Sequence, residues 1–155
     1  MRGQSTMANI RLAIETDAPI IAEFNQAMAM ETEGKQLDSG TILAGVKRMI
    51  TDQTLGFYLV GQVDDEVRGC LGITTEWSDW RNGLFWWIQS VYVAQEYRSH
   101  GVFSDLYKYV VKMAKEEPDV CGIRLYAERE NEKALRTYFR LGMVETDYRI
   151  LEESF

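Results

Sequence analysis

The stretch that decides the fold is Gln89-Ser-Val-Tyr-Val-Ala-Gln-Glu-Tyr-Arg98-Ser-His-Gly101-Val-Phe103. It begins in an apolar run, 84–93, typical of a central strand covered on both faces, and it ends where helical spacing starts. A buried strand therefore leads through a short loop into a helix N-terminus. The unpaired amides of such a terminus and its dipole attract anions. The stretch predicts either a phosphate-binding loop, with Gly101 open to the anion and Arg98 adding a charged contact, or a plain helix cap.

A second ordered segment follows about thirty residues later, over 130–143. Its pattern predicts a short helix closed by Gly142. Asn131 and Tyr138 are seven positions apart, about 10.5 Å along one helix face, which suits them to line one extended ligand. The alternative is that Asn131 caps the helix and Tyr138 is a core aromatic residue with a solvated hydroxyl.

The remaining periodicity predicts an α/β sandwich, a mixed sheet with helices on its faces. No repeat or linker divides the chain, so we expect one domain over 1–155, with 1–8 as a disordered leader if Met7 is the natural start. We predict strands at 9–15, 57–63, 67–75, 84–93, 122–127 and 143–151, helices after 16–17, after 38–39, at 101–117 and at 131–141, and loops at 31–35 and 76–83.

Composition narrows the class of protein. The net charge of -7 opposes general binding to nucleic acid or anionic lipid, and it either draws in a cationic substrate or only keeps the surface soluble. Cys70 and Cys121 lie in apolar runs without metal-ligand spacing, so we expect reduced core residues and a cytoplasmic setting. No apolar run reaches membrane-spanning length. His100 is the single histidine, which excludes multi-histidine metal sites, and we predict no metal.

Together the two segments resemble the GNAT (GCN5-related N-acetyltransferase) superfamily, and the resemblance extends from Ile10 to about Ile150. Arg98-x-x-Gly101-x-Phe103 is similar to the family's pyrophosphate signature, Gln/Arg-x-x-Gly-x-Gly/Ala. Asn131-x-x-Ala134-x-x-x-Tyr138, followed by Leu141-Gly142-Met143, is similar to its later coenzyme A segment. The resemblance implies the GNAT fold, a mixed sheet of about six to seven strands with about four helices and a splayed strand pair that forms an acetyl-CoA slot.

The resemblance also implies roles for individual residues. Tyr138 would be the acid that protonates the departing thiolate, and a backbone amide near Val91 would donate to the oxyanion. Asn131 would contact the pantetheine arm, which would pair with the strand at Val91-Tyr92-Val93. The implied acetyl-CoA contacts are Val91, Tyr92, Val93, Arg98, Ser99, His100, Gly101, Val102, Phe103, Asn131, Ala134 and Tyr138.

Two departures from the family pattern matter. Phe103 is bulky where relatives carry Gly or Ala, so we expect its side chain to point into the core. Gln89 and Ser90 stand where many relatives place a carboxylate base, which leaves the proton acceptor open among Glu76, Asp79, Glu128 and a water relay from Gln89.

Candidate acceptor contacts are Glu31, Glu33 and the tryptophans. Glu31 and Glu33 either select a cationic acceptor or lie in a solvated loop. Trp77 and Trp80 are loop aromatics suited to recognition, whereas Trp86 and Trp87 are expected in the core. The substrate-contact prediction is Glu31, Trp77, Trp80 and Gln89.

The expected function is acetyl transfer from acetyl-CoA to a primary amine, by direct attack in a ternary complex. Two rivals stay open: an acyl-CoA-binding sensor without catalysis, and an interaction subunit that keeps the fold alone. The acceptor, a small molecule or a peptide amine, is unidentified. A homodimer is one option for the assembly, and the acyl-chain preference is open.

Overall fold

A computed structural model describes residues 7–155, so most of the expected leader, 1–8, lies outside the described residues. Strands and helices follow one another in much the order that the sequence predicts. Two short 3₁₀ turns, Glu15–Asp17 and Gln95–Tyr97, precede helices. The elements are β1 (Asn9–Leu12), α1 (Ala18–Glu33), α2 (Ser39–Thr51), β2 (Phe57–Val63), β3 (Glu66–Ser78), β4 (Gly83–Val93), α3 (Val102–Glu116), β5 (Val120–Leu125) and α4 (Glu132–Arg140).

The sheet of residues 7–155 has five strands in the order β1-β2-β3-β4-β5. The first three pairings are antiparallel and β4 pairs with β5 in parallel, because α3 carries the chain back across the sheet. The α/β architecture and its four helices confirm the predicted fold class. The strand number is lower than the predicted six to seven.

Two hydrophobic layers lie on opposite faces of the sheet. Helix α3 covers one face, where Leu59, Leu71 and Ile73 are buried against Leu106 and Val110. Helices α1 and α2 cover part of the other face. Their core is the set Ala18, Ile21, Ala22, Phe24, Val46, Tyr58, Val60 and Cys70, with Tyr92 and Ala94 at its border.

Helix ends follow local chemistry. Asp38 caps α2 by accepting the Thr41 amide at 2.9 Å, and Gly34 ends α1 in the left-handed conformation. Before α1, Asp17 accepts two hydrogen bonds from the Arg11 guanidinium and one from the Ile14 amide. These bonds hold the pKa of the buried Asp17 carboxyl below its usual value against the opposing effect of burial.

Four expectations fail. The loop predicted at 31–35 begins only after Glu33, because α1 continues through Glu31 to Glu33 and ends at the left-handed Gly34. No strand forms over 143–151: the segment carries Glu145, Asp147 and Arg149 and makes no ladder with β5, so charge density outweighs its apolar positions. Trp77 lies in β3, which runs on to Ser78, because 76–78 pair with 83–85 before the turn. Cys121 is exposed because β5 is an edge strand of the described sheet, whereas Cys70 is buried as expected.

Candidate active site

A β-bulge in β4 determines which side chains face the site. Gly72 pairs with Ser90 and Ile73 pairs with Ile88, so Gln89 is an extra residue without a partner on β3. Ile88 before the bulge and Val91 after it both pack against the α3 layer. Regular alternation would put residues three apart on opposite faces. The bulge therefore reverses the inside and outside pattern for the rest of the strand.

The two edges of β4 differ beyond the bulge. Pairing with β5 runs from Leu84 to Ile88 and stops there, whereas pairing with β3 continues to Val93. The edge of β4 over 89–93 consequently faces open space where β5 has diverged. We call this space the slot.

Backbone polar groups of β4 point into the slot. Ala94 donates its amide to the Arg68 carbonyl at 2.7 Å. In an antiparallel pair, alternate residues face the partner strand, so Tyr92 and Ser90 also face β3. Val91 and Val93 therefore direct their amides and carbonyls into the slot. One hydrogen bond is consistent with this direction: Arg98 Nε donates to the Val93 carbonyl from the slot side, at 3.0 Å.

A hydrogen-bonded bridge closes the narrow end of the slot. The Gln89 side-chain amide donates to Thr74 Oγ1 at 2.8 Å, and its carbonyl accepts the Tyr126 hydroxyl at 2.8 Å. Tyr126 follows the last residue of β5 and its ring lies 5.5 Å from that of Trp87. The bridge ties β3, β4 and β5 together where the last two strands part.

The loop at the wide end presents a bare helix N-terminus. Gly101 is left-handed, with φ of 88°, and a Cβ there would meet no atom within 4 Å. No described side chain caps α3, whose first hydrogen bond is Asp105 N–H to the Gly101 carbonyl. The amides of Val102, Phe103 and Ser104 thus lack intrahelical acceptors and suit an anion. Ser99, with φ of 66°, and the exposed His100 complete the loop.

Arg98 and Glu31, which the sequence placed in different parts of the site, contact each other. Arg98 Nη2 donates to Glu31 Oε2 at 2.7 Å and its guanidinium lies over the Tyr92 ring. The Tyr92 hydroxyl donates to the other Glu31 oxygen at 3.1 Å. Burial, together with that carboxylate, raises the pKa of the Tyr92 phenol. The cluster links the end of α1 to the loop before α3.

The second motif lies beside the first. The Tyr138 and Phe103 rings meet edge to face, with centroids 6.0 Å apart. Phe103 is partly buried against the α3 layer, so the expectation that it points into the core is confirmed in part. Burial raises the pKa of the Tyr138 phenol. Asn131 caps α4 by accepting the Ala134 amide at 3.2 Å, so one of its two predicted roles is seen directly.

Other predicted acceptor contacts lie away from the slot. Trp77 lies on the opposite sheet face from Thr74, three residues along a regular strand. Trp80 is 85% exposed in the β3–β4 turn, and the candidate base Asp79 lies in the same turn. Trp86 is buried as expected, whereas Trp87 is half-buried.

The other candidate carboxylates lie in different surroundings. Glu76 is held by Arg124, whose Nη1 donates to it at 2.6 Å. Glu128, just after β5, accepts the Glu130 amide at 2.8 Å. Glu33 is exposed in the last turn of α1.

Three residues near the slot escaped the sequence analysis. Thr74, Tyr126 and Arg124 face the same side as Gln89, but each lies in a segment that reads as an ordinary strand. The one available signal was position: Tyr126 stands at the end of a predicted strand that precedes the second motif, where ligand contacts concentrate. The described residues 7–155 contain neither a cluster of three or more metal-ligating side chains nor a helix long and apolar enough to span a bilayer.

Comparison with known proteins agrees with this geometry. The model of the acetyltransferase (GNAT) family matches residues 23–143. The chain belongs to this family, and an acyltransferase enzyme is the class that its fold and site define. A crystal structure of a possible acetyltransferase from Clostridium difficile 630 is 44% identical, with 96% of this chain and 98% of that chain covered and a TM-score of 0.90. No curated protein matches the sequence.

More distant structures share the fold. Aminoglycoside N-acetyltransferase AAC(6')-Iy, solved in complex with CoA, is 13% identical over 99% of both chains, with a TM-score of 0.75. The aminoglycoside acetyltransferase meta-AAC0020, from an uncultured soil metagenomic sample and solved with sisomicin, is 14% identical over 96% of this chain and 97% of that chain, also with a TM-score of 0.75. At these identities the likeness concerns the fold alone.

Proposed function

We propose that this chain transfers an acetyl group from acetyl-CoA to a primary amine by direct attack in a ternary complex. The observation that carries the proposal is the presence of two sets of unpaired amides along one path. They begin at Val91 and Val93 in the slot and end at the bare N-terminus of α3. The pantetheine arm of CoA, which carries amides as a strand does and ends in a diphosphate, is complementary to these two sets of amides. AAC(6')-Iy, which shares the fold, was solved with CoA, and this supports the assignment.

Different residues bind different parts of the coenzyme. The Val91 carbonyl and the Val93 amide offer strand-type hydrogen bonds to the pantetheine arm, and the amides of Val102, Phe103 and Ser104 receive the diphosphate together with the helix dipole. Ser99, His100 and Gly101 shape the loop around it. Arg98 is held by Glu31, so it orients the loop and adds positive charge at its edge. Asn131, which caps α4, retains its side-chain N–H donors for the pantetheine arm.

Tyr138 is the proton donor of the transfer step. Acetyl-CoA supplies the activated acyl group. The amine nitrogen forms a bond to the acyl carbon, the Val91 amide stabilises the developing oxyanion, and the carbon–sulfur bond breaks. The Tyr138 phenol gives its proton to the leaving thiolate and is reprotonated from solvent, while the nitrogen loses its proton to water. Because burial raises the pKa of Tyr138, the phenol is protonated at neutral pH.

Gln89 positions the amine without acting as a base. Its amide is engaged at both ends by Thr74 and Tyr126, and a neutral carboxamide does not accept a proton at physiological pH. The enzyme therefore acts on the neutral fraction of the amine, which is small below the ordinary amine pKa of about 10.4.

Calorimetry and a thiol-release assay test the proposal. We expect saturable binding of CoA and acetyl-CoA, and a rise in the free energy of unfolding of about 2.7 kcal/mol at a ligand concentration one hundred times Kd. Acetyl-CoA with a panel of primary amines should release free thiol in proportion to acetylated amine. Binding without turnover would favour a sensor, and absence of binding would leave an interaction subunit.

A further inference from the structure

The sheet face beside the slot ends at the Phe85 ring, over which two guanidinium groups lie: that of Arg81 in the β3–β4 turn, 4.9 Å from the ring centre, and that of Arg124 on β5. The Arg124 guanidinium carbon lies 3.7 Å from the centre of the Phe85 ring, and its Nη1 donates to Glu76 at 2.6 Å. The side chain is 23% exposed. Among residues 7–155 the guanidinium makes no other hydrogen bond, so most of its five donors remain available.

Arg124 and the slot share one face of the sheet. Phe85, Trp87 and Gln89 alternate along β4 before the bulge takes effect, so all three face the same side. Arg124 pairs with Trp87 across the β4–β5 ladder and lies on that side too. Helices α1 and α2 pack on Tyr92 and its neighbours and do not reach Arg124, whose nearest neighbour from the C-terminal segment is the exposed Tyr148, with its ring centre 6.0 Å from the guanidinium carbon.

The face has three zones in sequence. Gln89 stands at the slot, the Trp87 and Tyr126 rings form an apolar middle with centroids 5.5 Å apart, and the Arg124 guanidinium stacked on Phe85 lies at the far end. The four residue steps from Phe85 to Gln89 span roughly 13 Å at about 3.3 Å per step.

Charge on this face does not favour a polycation. Glu31, which the sequence suggested as a cation contact, is paired with Arg98 at 2.7 Å, and the candidate base Glu76 is paired with Arg124 at 2.6 Å. Glu33, the other suggested cation contact, is exposed in the last turn of α1. A second ammonium group on an acceptor would meet the Arg124 guanidinium instead of a free carboxylate. An acceptor carboxylate there would form a charge-assisted hydrogen bond.

We propose that the acceptor is a linear amine that carries a carboxylate at its far end. Arg124 binds the carboxylate, Trp87 and Tyr126 pack against the intervening chain, and the amine reaches the slot at Gln89. The inference rests on the proposed function and deepens it, because it gives the acceptor class. Arg124 is a specificity residue with no part in the transfer step.

The test compares three amines of equal chain length: 8-aminooctanoate, octylamine and 1,8-diaminooctane. We expect kcat/KM for 8-aminooctanoate to exceed that for octylamine by about ten- to a hundredfold, since a hydrogen bond to a charged group contributes about 1.5–3 kcal/mol, and the diamine to be the poorest. Arg124→Gln should abolish the preference by raising KM for the amino acid, with kcat and the octylamine reaction unchanged. Arg124→Lys should retain part of it, because a lysine keeps the charge without the planar fork.

Arg48→Gln is the matched control, since it removes one positive charge from the exposed face of α2. It should leave the ratio of the three amines unchanged. Unaltered CoA affinity and melting temperature in Arg124→Gln would show that the variant is folded. Equal kcat/KM for 8-aminooctanoate and octylamine, or a preference that survives Arg124→Gln, would overturn the inference while leaving acetyl transfer intact. Failure to bind CoA at all would instead remove the proposed function and the inference with it.

Discussion

The two edges of β4 have opposite characters. Toward β3, the strand is paired from Gly83 to Val93 except at the bulge residue Gln89. Toward β5, the ladder ends at Ile88 and five residues are left open. Alternation in an antiparallel pair assigns each residue's polar groups to one edge only. One strand can therefore anchor the sheet on one side and offer backbone donors to a ligand on the other, and neither role weakens the other.

The largest expected effect is on kcat and concerns the chemistry at the open edge of β4. Tyr138→Phe removes the phenol hydroxyl and keeps the ring. We expect kcat to fall by about 10² to 10⁴, the usual contribution of a positioned acid. The Kd for CoA, measured by calorimetry, should be nearly unchanged because the ring still packs on Phe103.

Tyr109→Phe serves as the control for Tyr138. Tyr109 is an exposed tyrosine of α3 that lies outside both motifs, so removal of its hydroxyl should leave kcat unchanged. Full turnover in Tyr138→Phe would remove the proposed acid and leave solvent as the proton source.

The next effect concerns the closed edge and stability. Leu71 on β3 is fully buried, so Leu71→Ala should lower the free energy of unfolding by about 2–5 kcal/mol. Leu125 on β5 is only partly buried, and Leu125→Ala should cost about half as much or less. Urea unfolding of both variants measures the difference. Equal losses would mean that the β5 edge supports the fold as strongly as the β3 edge.

A smaller effect is expected at Gly101, where the open edge leads into α3. Its left-handed backbone costs a residue with a Cβ about 1–2 kcal/mol, and no neighbour within 4 Å adds a clash. Gly101→Ala should therefore lower stability by about 1 kcal/mol and weaken CoA binding as the loop relaxes. In contrast, Gly45→Ala in α2, which also has open space around it, should stabilise the protein by about 0.5–1 kcal/mol. Thermal unfolding with and without CoA separates the two; similar stabilisation by both would contradict the strain at Gly101.

The smallest effect is on the alkaline side of the pH profile. Burial raises the pKa of Tyr138, so the phenol keeps its proton at least up to its ordinary value of about 10. We expect kcat/KM to rise with pH as the amine loses its proton, with no descending limb below about pH 10. A descending limb near pH 8 that disappears in Tyr138→Phe would show that the pKa is lowered instead.

The sequence predicted what depends on local pattern. The hydrophobic period located the five strands of the described sheet, but it also predicted a strand at 143–151 that does not form. Asp38 was recognisable as a helix cap. The Arg98–Glu31 pair joins residues 67 positions apart, and the Gln89 bridge depends on where β5 diverges. Such contacts arise only from tertiary placement, which no local pattern records. The bulge escaped for a related reason: 84–93 is apolar at nearly every position, so alternation could not reveal a change of face.

That bulge also has a consequence for protein engineering. Deleting Gln89 would remove the bulge and restore regular alternation, so Val91 and Val93 would still face α3 and Tyr92 would still face α1. The deletion would instead remove the bridge to Thr74 and Tyr126 at the point where β4 and β5 part. Homologues with one residue fewer at this position would be poor templates for grafting specificity, because they lack the side chain that closes the narrow end of the slot. Loop swaps confined to the β3–β4 turn avoid this hazard.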